Sequence, residues 1–490
     1  IYTLSLHDAL PIYELARRSR TALVPRLSYG EGVRRSSRLP SFFRMLRTFR
    51  VPFLIVTEVC AVEESKRETW AWRTGMSAYR LGINAFFAAG GLRWLRRKYD
   101  VGLDERMGRF EGVPQGGVWV HAVSVGEVQS ASPLIRAMKR DAPSSGEPPL
   151  PCLLSTVTRT GREMAVQLIG GAADRMVYSP WDVPRFVRSA LDAARPKVYV
   201  AMETERWPEM LSELKARGVP AFLANGRLSE KSFRKLRRQA PFWRGVLSCF
   251  ERILVRFDED REHFLALGVP AERIVVTGDC KVDALMSRRS EADASRWTHL
   301  RRGDAPLFVA GSTHKGEDDI VIAAFRRLRS SHPGARLVIV PRHPERALFA
   351  VAAALPYPEL RADLLSRLPD DWDVAVADRI GLLFDLYAAA DAAFVGGSLV
   401  HKGGQNPLEP ALLEVPTAHG PDMADFPDTE RMDRMGAARC VGSAHELAAV
   451  WERALAPAER ERVRRACREF FETLGGAAER TWSVIKTYVK

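Results

Sequence analysis

The 490-residue sequence is poor in cysteine and has no closely spaced cysteine pair. Its six cysteines stand at positions 60, 152, 249, 280, 440 and 467. A disulfide framework or a zinc site needs clustered thiols, so this spacing argues against both. We interpret the cysteines as small apolar residues of a protein in a reducing compartment.

The sequence also lacks an apolar run of the roughly 20 residues that a membrane-spanning helix needs. Residues 81–92 are uncharged and mostly apolar, and Arg93, Arg96 and Arg97 follow almost at once. Such a pattern is typical of a helix that lies in the membrane interface, with its cations toward anionic head groups. We therefore predict a membrane-associating segment over residues 76–110. The alternative is a buried helix with a solvated basic end.

The first 75 residues carry no sustained helical or strand period, and no apolar region with a cleavage site that would mark a secretory signal. The chain starts at Ile1, and its first methionine is Met45. We interpret residues 1–75 as a non-native or disordered extension and Met76 as the true start. A basic targeting extension is the alternative.

Basic residues outnumber acidic residues by 73 to 60, which gives a formal charge of +13. Such an excess attracts polyanions in general, including nucleic acid, anionic lipid surfaces and phosphorylated substrates. The sequence has no basic stripe interleaved with aromatic residues, so we expect no nucleic-acid partner. Its anionic partner is then a membrane surface or a small substrate.

Short β-rich runs alternate with helical stretches from residue 118 onward, which predicts parallel sheets covered by helices on both faces. The predicted strands are residues 118–120, 153–155, 198–202, 221–224, 253–255, 274–277, 307–310, 336–340, 374–377 and 392–395. Residues 286–304 interrupt this alternation. We therefore predict an α/β fold of two doubly wound domains, residues 111–290 and 306–490, with a linker at 291–305 and the ligand in a cleft between them.

Acids and a lysine follow three predicted strands of the first domain. Glu127 stands where a strand passes into a helix, while Glu203, Glu205 and Lys281 each follow a buried strand. A carboxylate in such a place can accept a proton from a substrate hydroxyl, and a lysine can pair with a developing negative charge. For Glu127 a structural alternative stays open, because an acid in the first helical turn also complements the helix dipole.

Small residues follow two predicted strands of the second domain. Ser312 and Thr313 come after one strand, and Gly396 and Gly397 come after another. Such residues let backbone N–H groups approach a phosphate at a helix N-terminus. Arg342, after a third strand, can make paired contacts to a phosphate. Neither loop has the spacing of a dinucleotide fingerprint or of a P-loop.

Six motifs, in this order, resemble those of the bacterial lipid A-specific Kdo transferase family, in which Kdo is 3-deoxy-D-manno-octulosonic acid. They are residues 121–127, 202–208, 225–230, 312–317, 341–346 and 396–409. The resemblance implies a GT-B fold and transfer of Kdo from CMP-Kdo to a lipid A precursor, lipid IVA, by a single inverting displacement. It also implies lipopolysaccharide core biosynthesis at the cytoplasmic face of the inner membrane.

The resemblance further implies roles for individual residues. Glu127 takes the position of the general base on the acceptor hydroxyl, and Glu203 and Lys281 take positions that stabilise the transition state. The residues at CMP-sugar-binding positions are Ser312, Thr313, Pro341, Arg342, Ile380, Gly381, Leu382, Gly396, Gly397, Asn406, Pro407, Leu408 and Glu409. No cofactor and no metal ion are expected, which agrees with a sequence that has no clustered His, Cys or Asp ligand set.

Two places depart from the family pattern. Ile380, Gly381 and Leu382 stand where relatives have Met-Gly-Glu, so a carboxylate that contacts CMP is missing. Gln405 replaces a histidine that commonly precedes Asn-Pro-Leu-Glu. Two alternatives remain: a GT-B-like sugar-nucleotide 2-epimerase, and a non-catalytic basic protein that binds membrane surfaces. An epimerase would not be expected to carry the basic, apolar segment near the N-terminus.

Overall fold

The computed structural model describes residues 53–99, 101–141 and 149–489. These residues divide into two compact units. The first unit contains the described residues up to Lys281 and those from Gly476 onward, and the second unit is Val282–Gly475. Each unit is built around its own parallel sheet of seven strands.

The first sheet has the strand order β3-β2-β1-β4-β5-β6-β7, and its neighbouring strands pair in parallel. The strands are β1 Val118–His121, β2 Cys152–Thr156, β3 Arg175–Tyr178, β4 Val198–Met202, β5 Ala221–Gly226, β6 Arg252–Val255 and β7 Ile274–Val276. Chain order reverses between β1 and β4, so the sheet is doubly wound with its switch point there.

Successive residues of these strands point to opposite faces of the sheet, and both faces are buried. Trp119 and Tyr199 belong to one apolar cluster, whereas their chain neighbours Val120 and Val200 belong to the other. Strands buried on both sides read as continuous apolar runs, which is why most were predictable. The helices that cover the sheet are Val125–Arg140, Arg159–Leu168, Pro184–Ala194, Pro208–Ala216, Glu230–Arg237, Ala240–Leu247, Asp258–Ala266 and Ala477–Ile485.

The second sheet has the order β10-β11-β9-β8-β12-β13-β14, and its neighbouring strands also pair in parallel. The strands are β8 Leu307–Thr313, β9 Arg336–Pro341, β10 Ala362–Leu364, β11 Val374–Val376, β12 Ala392–Val395, β13 Thr417–His419 and β14 Ala438–Cys440. Its helices are Asp318–Arg329, Ala347–Ala352, Leu383–Ala389, Leu408–Leu412, Asp428–Met435, Ala444–Ala454 and Pro457–Leu474. The switch point of this sheet lies between β8 and β12.

The structure draws the boundary between the units differently from the sequence. Residues 306–490 were all predicted to form the second domain, but the helix Ala477–Ile485 belongs to the first unit. Its Ala477, Trp482 and Ile485 are buried in the same apolar cluster as Val200 of β4. The physical reason is that this helix supplies apolar cover for one face of the first sheet.

The predicted linker at 291–305 is part of the second unit. It contains the 3-10 helix Ala294–Leu300, whose Trp297 and Leu300 are buried in an apolar cluster with Leu307 of β8 and Val338 of β9. Their burial explains why a segment without strand signal still packs as core.

The helix Phe53–Phe86 runs through the predicted boundary between residues 75 and 76. Trp72 packs against Phe242, with ring centroids 5.7 Å apart, and lies against the apolar cluster of the first unit. Trp72, within the predicted extension, therefore packs in this unit, while residues 1–52 of that extension lie outside the described residues. In the described part of the chain, no helix is both long enough and apolar enough to cross a bilayer.

Hydrogen bonds and an ion pair connect the same helix to the helix Pro208–Ala216. The Tyr79 hydroxyl donates to Oδ2 of Asp182 over 2.7 Å, and Asp182 accepts the backbone N–H groups of Glu209 and Met210. Arg80 binds the buried Glu209 carboxylate through two nitrogens. Burial raises the pKa of Asp182 to about 6, although the hydrogen bond from Tyr79 opposes the rise.

Candidate active site

Four of the predicted polar residues, Glu127, Glu203, Glu205 and Lys281, lie beyond the carboxyl ends of strands in the first sheet. β1 and β4 are neighbours at the switch point, where open α/β sheets bind their ligands. Glu127 lies in the first turn of the helix after β1, and Glu203 directly follows β4. Lys281 lies at the start of the helix Cys280–Ser287, after β7.

Glu203 is the centre of a charged cluster. Its carboxylate lies 2.7 Å from Nζ of Lys281 and 3.3 Å from Nε of Arg227, and it accepts a hydrogen bond from Ser130 Oγ at 2.7 Å. Burial raises the pKa of Glu203, but Lys281, Arg227 and Ser130 more than offset that effect and leave the pKa below its ordinary value. Glu203 is therefore ionised at neutral pH.

The backbone at Glu203 has φ +52°, in the left-handed region that non-glycine residues rarely adopt. Asn225, near the end of the neighbouring strand β5, has the same φ. Such strained conformations cost of order 1–3 kcal/mol each and persist where the surrounding contacts hold them. Two of them on adjacent strands agree with a functional site at this edge of the sheet.

Glu127 forms a close pair with Glu205. Both carboxyls are buried, and two interacting carboxyls in a buried site favour a state with one proton between them. Burial, followed by the charges of Glu205 and Glu203, raises the pKa of Glu127 well above its ordinary value. Burial also raises the pKa of Glu205, against the hydrogen bond that Trp207 donates to it over 2.7 Å.

Glu127 also has a structural contact, because its Oε2 accepts the backbone N–H of Val123. This bond fixes the turn between β1 and the helix, in whose first turn Glu127 lies. Glu127 thus has a carboxyl positioned by Val123 and a second buried carboxyl, Glu205, that acts on its pKa. The two interpretations of this residue are thus compatible.

Two positioning residues had no role assigned from the sequence: Ser130, which was missed, and Asn225, which begins the motif 225–230. Ser130 lies one helical turn after Glu127, and its hydroxyl bonds Glu203. Asn225 donates to Ser130 Oγ over 3.3 Å and accepts the backbone N–H of Cys280 over 2.9 Å, which fixes the start of the helix that carries Lys281. The spacing of three residues from Glu127 was the available signal for Ser130, since residues three apart share a helix face.

In the second unit, the predicted small residues meet at the switch point between β8 and β12. A Cβ added to Gly396 would lie 2.6 Å from the carbonyl oxygen of Ser312 and 2.6 Å from Cα of Thr313, so only glycine fits there. Ser312 has φ +55°, and Gly397 has φ +71°. These residues therefore form one tightly packed pair of loops.

The loops are joined by Glu317, which the sequence reasoning quoted without giving it a role. This fully buried carboxylate accepts the backbone N–H groups of His314, Gly397, Ser398 and Leu399 at 2.7–3.0 Å. The sequence led us to expect amides in these loops to bind a phosphate. Because an internal carboxylate already occupies these four amides, a phosphate near these loops must use other donors.

Cationic side chains stand beside the loops. The rings of His314 and His343 lie 6.0 Å apart, and Arg342 is exposed after β9, where its backbone N–H donates to the carbonyl of Thr313. Burial, and then the positive charges of His343, Lys402 and neighbouring arginines, lower the pKa of His314. A concentration of positive charge of this kind suits a phosphate group.

The other predicted donor residues form two further segments of the second unit. Asn406 accepts the backbone N–H of Leu408 over 3.1 Å and acts to lower the pKa of Glu409, whose carboxyl lies 3.6 Å from Nη1 of Arg288. Burial raises the pKa of Glu409 despite these partners. The remaining predicted positions in these two segments are Pro407, which is buried, Ile380, which is 80% exposed, Gly381 with φ +87°, and Leu382, which caps the helix Leu383–Ala389.

Comparisons with known proteins show which family this chain resembles. The sequence matches the family described as 3-Deoxy-D-manno-octulosonic-acid transferase (kdotransferase) over residues 101–284, the part that holds Glu127, Glu203 and Lys281. A 3-deoxy-D-manno-octulosonic acid transferase of Haemophilus influenzae is 32% identical over 403 residues, which cover 80% of this chain and 92% of that protein. One of Bordetella pertussis is 32% identical over 386 residues, which cover 76% and 87%.

A solved UDP-GlcNAc 2-epimerase from Neisseria meningitidis, bound to UDP-GlcNAc, has a TM-score of 0.54 and 14% identity, with 76% of this chain and 99% of that chain covered. At this identity the likeness shows the fold alone, and together with the two parallel sheets it confirms the predicted α/β GT-B architecture. The sequence relatives decide the family that the shared fold leaves open. With about a third of its residues identical to both transferases over most of their lengths, the chain belongs to the 3-deoxy-D-manno-octulosonic acid (Kdo) transferase family of glycosyltransferases.

Proposed function

We propose that the chain transfers Kdo from CMP-Kdo to the lipid A precursor lipid IVA, by a single inverting displacement at the cytoplasmic face of the inner membrane. Membership of the family supports Kdo transfer in lipopolysaccharide core synthesis. The observation that carries the mechanism is the buried Glu127–Glu205 pair beside the ionised Glu203–Lys281 pair.

In the proposed reaction, the acceptor hydroxyl oxygen attacks the anomeric carbon of Kdo while the bond from that carbon to the CMP oxygen breaks. The bonding electrons leave with the phosphate of CMP. Ionised Glu127 takes the hydroxyl proton, and its raised pKa makes it a stronger base than an ordinary carboxylate. Glu205 can hold the proton that the pair shares before the acceptor binds.

Glu203 and Lys281 would act on the charges that develop in this step. The anomeric carbon gains positive charge as the bond to CMP breaks, and a nearby ionised carboxylate such as Glu203 stabilises it. The Lys281 ammonium keeps Glu203 ionised and carries a positive charge for an anionic group of the donor. Fixed charges in a buried site do this work with little reorganisation.

For the donor, we propose that the cationic side chains beside the 312–317 loop bind its phosphate. Arg342 is exposed and positioned there by its backbone bond to Thr313. The Asn406–Glu409 pair is the proposed contact for the ribose hydroxyls. Leu382, which stands in the place of a family glutamate, contributes no carboxylate to the donor.

Membrane association is proposed from the exposed face of the N-terminal helices. Leu81 is 72% exposed, and Arg93, Arg96 and Arg97 are exposed on or beside the helix Leu92–Lys98. Apolar and cationic groups together favour an anionic membrane surface, where the lipid acceptor would be found.

Mass spectrometry of the lipid tests the proposed reaction. The full chain is incubated with CMP-Kdo and a tetraacylated lipid A precursor in detergent, with Glu127→Gln as a variant and Glu472→Gln, an exposed carboxyl, as its control. We expect a mass increase of one or more Kdo units, lost only in Glu127→Gln. A folded wild-type chain that transfers nothing contradicts the proposal, as does full activity of Glu127→Gln. A parallel reaction in EDTA tests the prediction that no metal ion is needed.

A further inference from the structure

Arg206 is a buried cation at the candidate active site that the proposed mechanism does not use. It follows Glu205 directly in the turn between β4 and the helix Pro208–Ala216, at the carboxyl edge of the first sheet. Only 5% of its surface is exposed. Its Nε and Nη1 atoms are buried and find no hydrogen-bond partner among the described residues.

A guanidinium in such a place is costly for the folded protein. A buried charge with little compensation destabilises the folded protein, and a buried donor left unbonded adds to that destabilisation. Burial lowers the pKa of Arg206 to about 10, and the charge of Glu205 offsets only part of the fall. Arg206 therefore stays charged at neutral pH, although the protein gives it little compensation.

We infer that Arg206 binds an anionic oxygen group, a phosphate or a carboxylate, of a substrate that lies beside Glu127. This inference rests on the proposed function for the identity of the substrate. An incoming anion would supply the partner that Nε and Nη1 lack, and guanidinium is the side chain best suited to such groups. Arg206 is then a specificity-determining residue of the active site.

Two sources can supply this anion. The acceptor lipid carries phosphate groups, and the donor carries the carboxylate of Kdo and the phosphate of CMP. Arg206 directly follows Glu205, whose charge acts on both Arg206 and the base Glu127, so either substrate would place its anion near the reacting hydroxyl. Kinetic measurements with each substrate varied in turn distinguish the two sources.

The kinetic test compares Arg206→Met and Arg206→Lys with the wild type. The matched control is Arg188→Met, which removes a half-exposed arginine of the same unit that pairs with Glu213. We expect Arg206→Met to raise the KM of one substrate about tenfold or more, with a smaller change in kcat, and Arg206→Lys to restore part of the affinity. If the acceptor supplies the anion, the difference in KM between Arg206→Met and the wild type disappears with a dephosphorylated acceptor. If the donor supplies the anion, the difference persists.

A binding test keeps the inference separate from the proposed reaction. Inorganic phosphate should raise the melting temperature of the wild type and of Arg188→Met more than that of Arg206→Met, whether or not the chain transfers Kdo. Without phosphate, Arg206→Met should melt no lower than the wild type, because it removes an uncompensated buried charge. The inference is overturned if Arg206→Met melts lower and keeps the whole phosphate effect, or if both KM values stay within about twofold.

Discussion

The Nζ atom of Lys281 lies 2.7 Å from Oε1 of Glu203, a carboxylate with almost no exposed surface. The two residues come from different parts of the first sheet, after β7 and after β4. Their contact turns two weak sequence signals into one charged centre. The Lys281 ammonium, together with Arg227 and Ser130, keeps the buried carboxyl ionised.

Removing either partner of this ion pair should disable transfer. We expect Lys281→Met and Glu203→Gln each to lower kcat by about a hundredfold or more, since each removes a fixed charge from the site. The double variant should lose little more than either single variant, because the residues act as a unit. Lys486→Met, which breaks an exposed pair with Asp141, is the control. Fully additive losses would contradict a shared role.

The Glu127–Glu205 pair should set the acid limb of the pH–rate profile. Glu127 must be ionised to act as a base, so kcat/KM should fall as pH drops through its raised pKa. Glu205→Gln removes a neighbouring negative charge, lowers the pKa of Glu127 and should move the acid limb to lower pH. If the acid limb does not move in Glu205→Gln, the limb reports the titration of a group other than Glu127.

The same carboxyl should make the protein less stable as pH rises, whereas it makes the enzyme more active. Below pH 4.5, the ordinary pKa of a glutamate, Glu127 is protonated in folded and unfolded chains alike, and its contribution to the free energy of unfolding is fully present. That contribution is lost as pH rises through the raised pKa of the folded state. Each pH unit between the unfolded and folded pKa values lowers the free energy of unfolding by about 1.4 kcal/mol. Glu127→Gln should therefore melt higher than the wild type at about pH 8, and by less at about pH 5. An equal difference at both pH values would contradict a raised pKa.

Glu317 should hold the donor-side loops together. Its carboxylate accepts four backbone N–H groups, and an amide in its place would turn its own donors toward some of them. We expect Glu317→Gln to lower the free energy of unfolding by about 2–3 kcal/mol and to raise the KM of the donor. Urea denaturation and kinetics measure the two effects. Glu472→Gln on an exposed helix face is the control, and an equal effect there would show that the loss is unspecific.

The exposed cations near the N-terminal helix should draw the chain to anionic lipid. Replacing Arg93, Arg96 and Arg97 with glutamine should weaken binding to anionic vesicles by about a hundredfold, at about 1 kcal/mol for each charge. Vesicle sedimentation measures the partition. A control variant loses three exposed arginines of the second unit, Arg439, Arg464 and Arg465. Equal losses in both variants would indicate an effect of net charge alone.

Most strands could be predicted because they are apolar runs buried on both faces. The strands that were missed are β3, β10, β13 and β14, and three of these lie at sheet edges. Edge strands bury less of their surface, as the exposed Arg175 in β3 and Arg439 in β14 illustrate. Such strands carry too few apolar residues to stand out from loops.

The candidate site was predictable where its residues follow strands, and less so where they meet through distant parts of the chain. Glu127, Glu203 and Lys281 were found from their positions after strands and from the family resemblance. The bonds from Glu317 to Gly397 and Ser398 cross about 80 residues of sequence, and no local pattern announces them. The burial of Arg206 likewise depends on packing around the turn, which composition does not reveal.

The packing of the helix Ala477–Ile485 in the first unit has a consequence for folding during synthesis. During synthesis, Trp482 and Ile485 leave the ribosome after all of Val282–Gly475, yet they complete the core that contains Val120 and Val200. Part of this apolar cluster in the nascent first unit therefore stays uncovered while the second unit is translated. A chaperone that shields that part of the cluster on the ribosome would act during this interval.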